Sequence, residues 1–122
     1  MLTNTRSVLA VPSLDVSVAF YRDKLGMAVD LEVPGWCFLS RDSFAVMLGE
    51  CPDAIPPGAL GDHSYFAYVT VSDARGLFRE FGAKGVEFIK PLVDEPWGMR
   101  EFGVRTIDGH RIMVGQELDS DA

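Results

Sequence analysis

RSVLAV, residues 6–11, reads as a strand whose side chains alternate between two faces, and the spacing then changes to that of a helix. Alternation marks a half-buried strand, because successive side chains point to opposite faces of a sheet. In VSVAFYRDKL, residues 16–25, Val16, Ala19 and Phe20 form one line at helical spacing and Val18, Tyr21 and Leu25 an adjoining one. Together they predict a helix with a broad buried stripe, capped by Asp15 and stopped at Gly26. Strand-like segments follow in MAVDLEV, GWCFLS and SFAVMLG, separated by turn signals at Pro34-Gly35 and Arg41-Asp42.

The whole order then repeats. SYFAYVTV predicts a strand, Ser72 caps a helix in DARGLFREF, and Gly82 ends it; Ala74, Leu77, Phe78 and Phe81 stand at i, i+3, i+4 and i+7. VEFI, MREFGVRTI and RIMVGQE supply three more strands, the last two joined by an Asp108-Gly109 hairpin turn. Each half is a βαβββ unit. Between them ECPDAIPPGALGD is rich in proline and glycine and has no period, which predicts a linker. The layout is one domain over 1–122, with a first module at about 5–50, a linker at about 51–63, a second module at about 64–117 and a short acidic tail.

With 48% hydrophobic and 11% aromatic residues, a chain of 122 can bury a genuine core. A net charge of −7 argues against a nucleic-acid partner and is compatible with a cationic ligand. No segment approaches the ~18 unbroken apolar residues of a membrane span, and MLTNTRSVLA lacks the basic and apolar regions of a signal peptide. A soluble, cytoplasmic protein with no membrane partner is expected. Cys37 and Cys51 have no zinc-like spacing, so buried thiols are the default for both. Nucleophile-elbow, phosphate-loop and dinucleotide motifs are absent from the sequence.

Two long segments, LAVPSLDVSVAFYRDKLGM and EPWGMREFGVRTIDGHRIMV, give the chain its resemblance to the vicinal oxygen chelate superfamily, the glyoxalase/bleomycin-resistance/dioxygenase group. The resemblance spans nearly the whole chain and implies an α+β fold: two βαβββ modules forming a shared curved-sheet cup, with helices on the outer faces. Metal-dependent enzymes of this group place one ligand on the first and one on the last strand of each module. Those places fall here on Arg6, Met47, Tyr65 and Met113. A guanidinium and two thioethers are poor partners for the hard cations of this chemistry, so neither metal nor another cofactor is expected.

His63 keeps a metal alternative open, since a shifted register would bring it onto the face of Tyr65. His110 sits beside a turn with the opposite parity to Met113, and a surface histidine is the expectation there. The aromatic set Trp36, Phe38, Tyr65, Trp97 and Phe102, with Met47 and Met113, is the candidate ligand-binding lining, and Glu101 is the carboxylate placed to meet a cationic group. For residues in strands the plainer alternative is ordinary core. Glu101 paired with Arg100 or Arg105 is an equally structural reading. EPWGMREF is similar to a segment of bleomycin-resistance proteins, apart from the additional Met99. That similarity implies a homodimer that binds a cationic aromatic antibiotic without metal chemistry. The alternatives are a metal-dependent lyase, isomerase or dioxygenase with displaced ligands, and a metabolite-sensing module.

Overall fold

The computed structural model describes residues 1–61 and 64–118. His63 and the acidic tail beyond Leu118 lie outside the described residues. The first module runs β1 (Ser7–Val11), α1 (Leu14–Ala19), β2 (Ala28–Val33), β3 (Trp36–Arg41) and β4 (Phe44–Glu50). The second runs β5 (Tyr65–Thr70), α2 (Ala74–Ala83), β6 (Glu87–Asp94), β7 (Met99–Arg105) and β8 (Arg111–Glu117). A short 3₁₀ turn, Pro57–Leu60, lies in the segment between them. Each module is a four-stranded mixed sheet, ordered β1-β4-β3-β2 and β5-β8-β7-β6, so the βαβββ repeat read from the sequence is present. In each, the first strand pairs parallel to the last and the other pairings are antiparallel.

Local chemistry moves several element ends. Ser13, with extended backbone, precedes α1, and Asp15 stands inside the first turn, where its charge still complements the helix dipole. After Ala19 the helix widens to π geometry over Phe20–Lys24, and Leu25 N–H donates to the Phe20 carbonyl at 3.3 Å. The buried stripe runs through Ser17, Val18, Phe20, Tyr21 and Leu25, and Val16 is half-exposed. Asp73, one residue beyond the expected Ser72, caps α2 by accepting from Gly76 N–H at 3.0 Å. α2 continues past Gly82 to Ala83, and the left-handed residue that follows is Gly85, at φ +77°.

One face of each sheet is covered by its own helix. Leu9, Val11, Cys37, Leu39, Val46 and Leu48 of the first sheet, and Phe102, Val104, Ile112 and Val114 of the second, are buried there in one continuous cluster. The modules are joined on this helix side. The Ser17 hydroxyl donates to Asp108 at 2.7 Å, Arg41 holds Glu80 through two bonds of 2.7 and 3.1 Å, and Phe44 stacks on Phe66 at 6.4 Å. Lys24 donates to the Lys84 carbonyl at 2.6 Å.

His110 is not a surface residue. The Asp108-Gly109 hairpin tip is pressed against α1, which buries the imidazole edge-on to Phe66, and its Nδ1 has no hydrogen-bond partner among the described residues. Cys37 is buried as expected. Cys51 is exposed, because it begins the linker after the last residue of β4.

Candidate functional sites on the open sheet faces

The other face of each sheet carries the candidate residues. On the first, register places Val8, Phe38 and Met47 side by side, with Leu31 next to Phe38 and Trp36 next to Gly49. Val8 is 62% exposed, Leu31 50% and Trp36 39%, so this is an open apolar surface. A side chain at Gly49 would run into the Trp36 ring, and the indole therefore lies flat across bare backbone. At the end of the face Arg6 pairs with Asp30 at 3.0 Å, donates to the Leu39 carbonyl at 3.2 Å and stands 5.3 Å from the Phe38 ring centre. Hydrogen bonds from Ser40 and Arg6 hold the Asp30 carboxyl below its usual range.

The second face has the same frame and different contents. Its parity is set by a bulge in β5: Tyr65 pairs with Arg111, but Ala67 pairs with Ile112, so Phe66 and Ala67 both join the core and Tyr68 returns to the face of Met113. Tyr65 also lies on the open side, its hydroxyl beside Gly103. Strict alternation from Tyr65 leaves Tyr68 on the wrong side. The Tyr68 ring crosses Gly115, where a β-carbon would collide with its hydroxyl.

That hydroxyl donates to Glu101 Oε2 at 2.6 Å. Trp97 Nε1 donates to the same oxygen at 3.3 Å, and Lys90 Nζ donates to Oε1 at 2.8 Å. Lys90 also reaches Glu95 at 3.3 Å and lies 5.6 Å from the Trp97 ring centre. Only 7% of the Glu101 side chain is exposed. Burial alone would raise its pKa, but the bonds from Lys90, Tyr68 and Trp97 prevail and hold the carboxyl below its ordinary value. For Lys90, burial opposes the charge and the two glutamates overcome it. Burial, then Glu101, pushes the Tyr68 phenol well above its ordinary value, so it stays protonated.

Trp36, Phe38 and Met47 thus gather on one open face, and Tyr65, Trp97, Glu101 and Met113 on the other. Phe102 stands apart. Next to Glu101 in β7 it points the opposite way, fully buried among Phe78, Phe81 and Phe88 with ring centres 5.3–6.2 Å away. The partner of Glu101 is Lys90; Arg100 pairs with Asp94 at 2.6 Å and Arg105 lies 3.6 Å from Glu87.

The superfamily's metal does not fit these faces. Arg6, Met47, Tyr65 and Met113 offer no carboxylate or imidazole, and among the described residues no three His, Cys, Asp or Glu side chains gather as a metal set would. No helix among them is long and apolar enough to cross a membrane.

A family model described as the Glyoxalase/Bleomycin resistance protein/Dioxygenase superfamily matches residues 5–114. No curated protein matches the sequence. Among solved structures, a glyoxalase/bleomycin resistance protein/dioxygenase from Alicyclobacillus acidocaldarius is similar at TM-score 0.80 and 14% identity, over 98% of this chain and 94% of that one. A bleomycin resistance determinant encoded on the transposon Tn5 is similar at 0.78 and 18%, over 95% and 98%. The bleomycin-binding protein of Streptomyces verticillus, solved with copper(II)-bleomycin, is similar at 0.70 and 20%, over 98% of each chain.

Proposed function

The chain belongs to the glyoxalase/bleomycin resistance protein/dioxygenase superfamily, and from that premise we propose that it is a metal-independent, cytoplasmic binding protein for a flat cationic small molecule, of the kind that sequesters an antibiotic. The observation that carries this reading is Trp97. The residue is 62% exposed, yet its indole N–H is tied to Glu101, so an aromatic surface is presented in a fixed orientation. The Lys90 ammonium already rests near that ring. Around it two carboxylates, Glu95 and Glu101, meet one ammonium. The surplus negative charge favours a cation, and a planar cation on indole gains roughly 0.5–2 kcal/mol.

The functional unit in this reading is a homodimer. The joining contacts within the chain lie on the helix side, and the described residues leave both open faces uncovered. A second copy placing its Tyr68 face over the Val8, Leu31 and Trp36 face would close a cleft lined by both modules. Sedimentation at micromolar concentration is expected to give twice the chain mass, and a monomer would count against the dimer.

Binding is tested by calorimetric titration with bleomycin and with simpler cationic aromatics at low and high salt. Saturable binding that weakens with salt is expected. Trp97→Ala should cost about tenfold or more in affinity if stacking supplies ~1.4 kcal/mol or above. Tighter binding of neutral or anionic compounds, or full affinity in a folded Trp97→Ala protein, would favour a metabolite sensor instead.

A further inference from the structure

A phenol has one proton to give, and in Tyr68 its direction is settled. The 2.6 Å partner is a carboxylate oxygen, and an ionised carboxylate can only accept. The Tyr68 oxygen therefore has lone pairs alone left to offer, and Tyr68 lines a shallow cavity of about 420 Å³ with Tyr65, Glu101 and Met113. A short bond to a charged acceptor polarises the phenol and makes that oxygen a better acceptor in turn. Gly115 beneath and Glu101 at the tip hold the ring where it is. Glu101 has little left for a ligand, because Oε1 takes Lys90 and Oε2 takes both Tyr68 and Trp97.

We infer that Tyr68 is a specificity-determining acceptor, selecting flat cations that carry an N–H donor, such as amidines and protonated amines, over quaternary cations of similar shape. This rests on the proposed binding of flat cations at the same face. Glu101 acts through Tyr68, and its role has a distinct signature. In Glu101→Gln the amide oxygen must stay toward Lys90, which has only donors, and the amide nitrogen then falls where Oε2 stood. That nitrogen donates to the Tyr68 oxygen and frees the phenol proton to point outward. The isosteric change converts Tyr68 from acceptor to donor.

Two dyes separate these effects: DAPI, a flat diamidine with N–H donors, and thioflavin T, a flat quaternary cation without them. Each is titrated into wild type, Tyr68→Phe and Glu101→Gln. Tyr68→Phe should weaken DAPI about five- to tenfold, the loss of one hydrogen bond, and leave thioflavin T within about twofold. The variant should fold, since Tyr68 is half-exposed and Glu101 keeps Lys90 and Trp97. Glu101→Gln, which also removes the acceptor of the Trp97 N–H and one negative charge, should weaken both dyes and DAPI the more. If both dyes bind wild type and Tyr68→Phe affects them equally or not at all, the inference fails while flat-cation binding stands. If neither dye binds wild type, both fall.

Discussion

The two open faces share a strand order, a methionine at corresponding places in β4 and β8, and a glycine two residues later with an aromatic ring across it. They differ in what surrounds that ring. On the first sheet Trp36 shares its face with Val8, Leu31, Phe38 and Met47, and the ion pair Arg6–Asp30 sits at the margin with both side chains partly exposed. On the second, the ring end of Tyr68 is one of three donors on a nearly buried carboxylate. A repeated backbone thus supports one surface held by packing and another held by charge. The second is the more sensitive to single changes, because a buried ion that loses a partner is costly whereas an exposed apolar ring can move.

The largest effect expected from breaking this contrast is at Lys90. Lys90→Met leaves Glu101 without its cation and should destabilise the fold by about 3 kcal/mol in urea unfolding. Adding Glu101→Leu, which makes the second face apolar like the first, should recover most of that loss. If the double variant is no more stable than the single one, the carboxylate is not the source of the cost. The glycines give a smaller effect. Gly115→Ala forces the Tyr68 hydroxyl off Glu101 and should cost about 1–2 kcal/mol. At Gly49→Ala the nearest atoms met are those of the Trp36 ring, which is partly exposed, and the change should cost less.

The smallest effect concerns the hairpin tip that seats the second module on the first. Burial lowers the His110 pKa, against a weaker opposing pull from Asp108. A depressed folded-state value means that the unfolded chain takes up the proton first. Stability contributed by neutral His110 is therefore complete above the ordinary imidazole value of about 6.5 and is lost as pH falls through the folded value. The melting temperature of wild type should drop more between pH 7.5 and 5.5 than that of His110→Gln. Equal drops would show that other groups carry the pH dependence.

The sequence made the repeat legible because every element announces itself locally, by alternation, by helical spacing or by an Asp-Gly turn. Parity could be read wherever strands are regular: Val46, Leu48, Ile112 and Val114 are buried on the helix side while Met47 and Met113 lie opposite. It failed at β5, where the bulge breaks the period. The signal was present in YFAY, since two tyrosines three apart cannot share a face on a regular strand. Lys90 was missed because its partners lie on β7 and in the turn before it, distances that no local pattern encodes. His110 looked exposed because a turn usually is, and only packing between modules buries it.

The helix-side contacts between modules carry a topological consequence. Ser17 with Asp108, Arg41 with Glu80, and Phe44 with Phe66 fasten two halves of the polypeptide whose sheet pairings are each complete within one half. The linker between them adds a backbone bond to the first half, from Cys51 N–H to the Val11 carbonyl at 2.8 Å. A chain cut near Pro56 is expected to give two fragments that reassemble through the helix-side seam, as the halves of a split reporter do.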